Sequence, residues 1–466
     1  MRKIYRLFTI IVLLSLSLTA KAQIDAVGLT LMPQLPYGNL YNPAIPVSSD
    51  MFIGVGFSNV NLAIYNSSIR SNNIYNYENG KPVSINATQL INSLDDHDNF
   101  IRSNFSLELL RMGFRLNKLF IDLNLNVKYS GEFQYSKDFL GFFVNGNGNY
   151  MGENYADFSI GVNTSLLSEI ALGVQYEIND KLTVALRPKL LCGVANVRVT
   201  NDNTKIYTDE KTYDMIADVD LNFQMSSLVD LGIERLGDLS TLDFTQLNLA
   251  DALRIKDNFG YAIDFGASYT FNEHFGAALG VYDLGFVKWK NSRQKRQIQD
   301  NLLINDALCK DFDNLMNLEL DFETLLRDMV SNVWGEGRLE AGEDYKTMLN
   351  TRVMLQGYYE LNPMLRVTAI GQMYYINQKM RPSMTIAYSG SFFKIVNLTA
   401  SYTMAKYSGN SVSAGIAFSA GPLKIYAVSD NIMVLSKRKA STVEMLTSYE
   451  VTNIRFGLMF SVDYKK

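Results

Sequence analysis

Histidine and cysteine, the side chains that most often do catalysis or hold transition metals, are almost missing. His97, His274, Cys192 and Cys309 are all that 466 residues contain. His97 stands in Leu94-Asp95-Asp96-His97-Asp98, whose carboxylates could hold a hard cation through oxygen. The run lacks the glycine and glutamate of a calcium loop, so it reads as a polar external loop and no metal site is expected. His274 lies in "FNEHF", a turn-like stretch, and reads as a solvated turn residue. No Ser-His-Asp set, zinc spacing, P-loop or dinucleotide fingerprint is readable, so neither an enzyme nor a cofactor is expected. The cysteines are far from any Cys-x-x-Cys pattern and read as incidental thiols, with a single disulfide left open in an oxidising compartment. The formal net charge of -4 gives no reason to expect nucleic acid.

What remains is polar chemistry on alternating segments, and the first 22 residues say where such segments work. Arg2, Lys3 and Arg6 precede the short apolar core "TIIVLLSLSL" and the small-x-small site Ala20-Lys21-Ala22. This is the pattern of a secretory signal peptide over residues 1–22, with a mature start at Gln23. An uncleaved anchor fails on length, and no later run reaches about 18 apolar residues. The mature chain is then either soluble outside the cytoplasm or a membrane β-barrel.

Period-two alternation recurs along the chain. In "LFIDLNLNVKY", Leu119, Ile121, Leu123, Leu125, Val127 and Tyr129 alternate with Asp122, Asn124, Asn126 and Lys128. In "YAIDFGASYTF", Tyr261, Ile263, Phe265, Ala267, Tyr269 and Phe271 alternate with Ala262, Asp264, Gly266, Ser268 and Thr270. Ile454, Phe456, Leu458, Phe460, Val462 and Tyr464 continue the pattern near the end. The runs have the roughly 9 to 11 residues of a tilted membrane strand rather than the 5 to 6 of a soluble one. Aromatics at the ends of the apolar faces fit an outward band edged by girdles, and the polar faces suit a lumen.

The fold class expected is all-β, a transmembrane antiparallel barrel of about 14 strands, range 14–16, spanning residues 51–466. Tight connections such as "EINDKL", "TFNEHF" and "SAGPLK" occur along the chain, and in its second half they alternate with long ones, as short periplasmic turns alternate with external loops. Fifteen candidate strands can be marked, an odd number, and the conflict lies between 200 and 260. Either two early candidates are one strand, giving fourteen, or 226–258 hides one more, giving sixteen. The insertion 291–348 carries Phe312, Leu315, Phe322, Leu325, Met329, Val333 and Trp334 near helical spacing, which predicts an amphipathic helix. Residues 227–256 look partly helical as well.

Two stretches carry a family resemblance. "NLYNPAIP", with Asn42-Pro43-Ala44, resembles the N-terminal region of outer-membrane transport proteins of the long-chain fatty-acid transporter class (FadL and toluene-type transporters) and of the related PorV proteins of Bacteroidota. "VYDLGFVKW", holding Asp283, Leu284, Gly285, Phe286 and Trp289, is similar to a signature strand of a Bacteroidota outer-membrane family of unknown function allied to that class. The resemblance implies that residues 23–50 fold inside the barrel as a plug, or hatch, with Tyr41, Asn42, Pro43 and Ala44 nearest the ligand path. A plain periplasmic lead-in is the alternative. It also implies a passive outer-membrane channel for small hydrophobic compounds that enter from outside and leave through the wall. The alternative function is a structural barrel docking a surface or secretion partner, as PorV does. The other partner expected is the lipid of the cell outer membrane.

Overall fold

The structure, a computed structural model, describes residues 27–462 apart from 33–34, 68–74, 79–80, 97–98, 229–257, 291–292, 304–337, 377–378, 406–409, 433–450 and the single residues 146, 153, 202, 363 and 394. The signal-peptide stretch, His97, Cys309 and both predicted helices, within 291–348 and 227–256, lie largely or wholly outside these residues.

Fourteen antiparallel strands close into one barrel. Strand β1 comes in two pieces, Met51–Val55 and Val60–Asn66. The next four are β2 (Asn99–Leu116), β3 (Leu119–Tyr135), β4 (Ile160–Glu177) and β5 (Leu182–Asn201). Then come β6 (Phe259–Thr270), β7 (Phe275–Trp289), β8 (Thr351–Asn362), β9 (Leu365–Ile376) and β10 (Lys379–Phe392). The wall ends with β11 (Val396–Ala405), β12 (Ser411–Ala420), β13 (Leu423–Ser429) and β14 (Val451–Val462). Both pieces of β1 pair with β2 on one side and β14 on the other, which closes the ring and leaves no free edge.

The alternation read in the sequence is the inside and outside of this wall. Phe456, Leu458, Phe460 and Val462 point outward, while Arg455, Met459 and Ser461 are buried inward. Tyr261, Phe265 and Tyr269 face outward, and Asp264, one residue away, is 1% exposed. Six tight turns, β2–β3, β4–β5, β6–β7, β8–β9, β10–β11 and β12–β13, lie at the end where β1 begins and β14 finishes. Two of them are fixed by asparagines whose side chains imitate a backbone turn. Asn179 Oδ1 accepts from Lys181 N and Leu182 N, and Asn272 Oδ1 from His274 N and Phe275 N, all at 2.9 Å. At that rim Tyr269, Phe271 and Phe275 stack in a chain with centroids 4.9 Å apart, one sector of an aromatic girdle. Among the described residues no helix is long and apolar enough to cross a membrane.

The odd strand is Met215–Ser227, which alternates like a wall strand yet leaves the wall. Strand β5 branches. Its Leu182–Cys192 half pairs with β6, and Ala195–Thr200 pairs with Met215–Ser227 instead. Met215–Ser227 then pairs with Gln294–Leu303, the first part of the insertion, where no strand was marked from the sequence. The apolar face of Met215–Ser227 meets protein, not lipid. Ala217, Val219, Leu221, Phe223 and Met225 are buried with Phe139 and Phe142 of the helix Lys137–Asn145 and with Phe158. The count of fourteen therefore comes from removing one strand to an outer layer, by neither of the routes considered from the sequence.

Candidate functional site

Residues 36–46 hold three prolines and a glycine, a composition that cannot join a central ladder because proline lacks the donor. The chain instead forms short 3₁₀ turns at Val27–Leu31 and Gly38–Leu40 and lies against the inner wall. Tyr37, Asn39, Tyr41, Asn42, Pro43 and Ala44 are all buried.

Side chains of the wall satisfy the backbone that proline and the turns leave unpaired. Arg111 of β2 donates to Pro36 O at 3.0 Å and to Asn39 Oδ1 at 2.5 Å. Asn39 Nδ2 donates to Asp122 Oδ2 at 2.9 Å, and Arg187 of β5 donates to Asn39 O at 2.9 Å. Gln175 Nε2 reaches both Pro43 O and Ile45 O at 2.9 Å, Ser268 Oγ reaches Ala44 O at 2.8 Å, and Arg115 reaches Val47 O at 2.6 Å. The Arg111 guanidinium sits between the rings of Tyr37 and Phe52, 5.0 and 5.1 Å from their centroids.

Of the four residues singled out from the sequence, Tyr41 lines the inner cavity, and Asn42, Pro43 and Ala44 are buried against the wall. The Tyr41 hydroxyl accepts from Arg455, and its ring lies 4.7 Å from the Arg352 guanidinium carbon. Asn42 folds back on itself, its Oδ1 accepting from Ala44 N at 2.9 Å. It sits on Gly266 and Gly280 of β6 and β7. A Cβ built on Gly266 would stand 2.4 Å from Asn42 Oδ1, and one on Gly280 would stand 3.1 Å from Asn42 Cγ. The two glycines make the seat.

Further out the lumen is charged and internally paired. Lys189 Nζ lies 2.8 Å from Asp264 Oδ1, 2.5 Å from Asp283 Oδ1 and 3.7 Å from Glu169 Oε2. Lys128 binds Glu169 at 2.6 Å, and Arg187 binds Asp122 at 3.1 Å. Pairing of this kind is what keeps charges buried in place. Above Leu40 and Tyr41 these groups enclose a cavity of about 250 Å³, with Leu167, Leu191 and Tyr282 adding apolar surface. A second cavity of about 700 Å³ lies nearer the long-loop end, bordered by Gln134, Arg198 and Lys379.

The stretch Val281–Trp289, singled out from the sequence, lies in β7 beside this lumen. Asp283 faces Lys189, Leu284 is 45% exposed on the outer face, and Trp289 is fully buried with its Nε1 donating to Thr347 Oγ1 at 2.8 Å. Asp283 has a φ of 50°, and a register shift sets Tyr282 and Asp283 against Asp264 alone, which makes a β-bulge. Phe286 is half-buried, and the Lys346 ammonium stands 5.0 Å from its ring centroid.

Sequence reasoning missed the break in β1. Gly56, at a φ of 75°, turns the strand, and Ser58 and Asn59 drop inward between its two pieces. Both Tyr37 and Tyr426 donate to Ser58 O, so the buried segment is tied to the break. A Cβ on Gly457 would stand 2.0 Å from that carbonyl, so only glycine admits it. The signal available was glycine within an alternating run. Arg111, Gln175, Arg187 and Arg455 were missed because inward polarity announces a lumen without saying what it holds.

A model of a family of unknown function, DUF5723, matches residues 43–430. The chain belongs to this family. The match spans β1 to β13 and the whole signature strand. No curated protein matches the sequence. Among solved structures the chain is similar to a Pseudomonas aeruginosa FadL homologue, at 10% identity over 96% of this chain and 100% of that one, TM-score 0.44. It is also similar to the Pseudomonas putida toluene transporter TodX, at 8% identity over 95% of this chain and 98% of that one, TM-score 0.43. The Ralstonia pickettii toluene transporter TbuX gives 10% identity, 95% and 97% coverage and a TM-score of 0.42.

Proposed function

We propose that this family member is an outer-membrane channel for small hydrophobic compounds carrying a polar end group, closed on its periplasmic side by residues 23–50. The observation that carries the reading is that Leu40 and Tyr41 floor the inner cavity. The floor belongs to a segment held by side chains rather than by a strand ladder. Side-chain hydrogen bonds are individually worth about 0.5–1.5 kcal/mol, more where an ion takes part, so such a floor can leave while the wall stays intact. The mixed lining suits an amphiphile: leucine and tyrosine for the body, the paired charges and Arg352 for the end group. Residues 1–22 act as the leader that exports the chain. The apolar outer face and its aromatic rim set it in lipid.

The test is removal of residues 24–46 from the mature chain. The expected result is a barrel that still folds, seen as a heat-dependent gel mobility, with faster uptake of apolar solutes in proteoliposomes. Uptake unchanged for every apolar solute tried would refute the reading.

A further inference from the structure

The two cavities share two lining residues, Leu349 and Asn350. We propose that this pair is the neck of the passage and sets the width of the solute admitted from the outer vestibule to the inner chamber. The inference rests on the reading of the barrel as a channel, and adds to it the residues that choose among solutes.

The neck is a break in the wall. The strand Tyr345–Met348 pairs with the outer part of β7, and β8 resumes at Thr351. Between them Thr351 N donates to Leu349 O at 2.9 Å, a three-residue turn that takes the chain out of the ladder. Leu349 N is caught by Gly285 O at 3.0 Å, and Thr351 Oγ1 by Asp283 O at 3.1 Å.

The signature residues of β7 supply these anchors, which gives them a physical task. The bulge at Asp283 is held by its own N–H on Asp264 Oδ1 at 2.8 Å and by its carboxylate on Lys189. Gly285 can carry no side chain: a Cβ there would stand 2.2 Å from Tyr261 O and 2.5 Å from the Cα of Ala262. Trp289 pins the outer end of the break through Thr347, stacks 6.3 Å from Tyr345, and fills the space over Gly193, where a Cβ would be 2.5 Å from its ring. Tyr345 in turn donates to Asn196 Oδ1 at 2.8 Å. The neck is therefore fixed in the wall, unlike the segment 36–46. One side of it is apolar and the other is an amide. That combination fits a narrow, apolar-bodied solute with a hydrogen-bonding end. The chamber behind the neck, of about 250 Å³, has room for a small solute.

The test reads passage through the neck from outside, and does not depend on the hatch. In a Cys192→Ala, Cys309→Ala background, Ser106→Cys reports from the inner chamber and Thr200→Cys from the vestibule. Intact cells are treated with a small and a bulky membrane-impermeant thiol reagent, sulfonatoethyl methanethiosulfonate and a stilbene-disulfonate maleimide. The expected result is fast labelling of Thr200→Cys by both, and labelling of Ser106→Cys by the small reagent far ahead of the bulky one. Leu349→Ala should raise the bulky reagent's rate at Ser106→Cys by about tenfold, and Leu349→Trp should lower the small reagent's rate by about as much, roughly 1.4 kcal/mol of barrier each. Thr200→Cys rates, unchanged in both, show that the barrel has folded. Rates at Ser106→Cys that ignore both substitutions overturn the neck. If they respond while removal of 24–46 leaves uptake unchanged, the neck stands and the channel reading fails.

Discussion

The inner chamber is bordered by two segments that are built in opposite ways. Toward the tight turns it is floored by Leu40 and Tyr41, on a segment that contributes no strand to the wall and is held by arginine, glutamine, serine and asparagine side chains. Toward the long loops it is narrowed by Leu349 and Asn350, whose neighbours are bonded into the wall through the backbone of Gly285 and Asp283. A closure held by side chains can be released without unmaking the barrel. A closure tied to the wall through the backbone cannot. The difference is the ground for proposing gating by the first and selection by size by the second.

The largest effect that can break this comparison is removal of 24–46, which should raise conductance in planar bilayers by about tenfold or more, since a barrier loses about 1.4 kcal/mol per factor of ten. Leu349→Ala should alter which solutes pass and leave the closed state closed. Next is Trp289→Ala. Losing a fully buried tryptophan should lower barrel stability by about 3–5 kcal/mol in urea unfolding and blur the size cut-off, while the hatch stays seated. Arg187→Ala comes third. It leaves the buried Asp122 carboxylate without its cation and Asn39 O without its donor, a loss of about 3–5 kcal/mol, and should appear chiefly as faster protease cleavage within 27–50. Gly280→Ala is the smallest. The added methyl meets only Asn42, at 3.1 Å, so the loss should be about 1 kcal/mol or less, read as modestly faster cleavage with unchanged solute selection.

Much of the barrel was readable because each wall strand has two unlike faces. An apolar outer face and a polar lumen set Tyr261, Phe265 and Tyr269 apart from Asp264 in strict alternation, and the tight turns announce themselves by Asn179, Asn272 and Gly421. Met215–Ser227 misled for the same reason. A strand with one face on a protein core alternates just as one with a face on lipid does. The peptide Tyr41 to Ala44 stood out because prolines there would damage any ladder, yet nothing in the sequence pairs Asn39 with Asp122 or Gln175 with Pro43. Those contacts join residues 83 and 132 positions apart. The neck was invisible for a further reason. Its two residues are ordinary, and their exit from the ladder is imposed by a bulge and a glycine in the neighbouring strand.

The most direct test of gating by the N-terminal segment is a reversible tether. Asn39 and Asp122, whose side chains meet at 2.9 Å, are replaced by cysteine in the Cys192→Ala, Cys309→Ala background. Solute uptake is then measured in proteoliposomes before and after reduction. The account predicts that the oxidised protein passes little and that reduction restores uptake to the level of the single variants. Equal uptake in the oxidised and reduced states, with the disulfide shown to form, would contradict it.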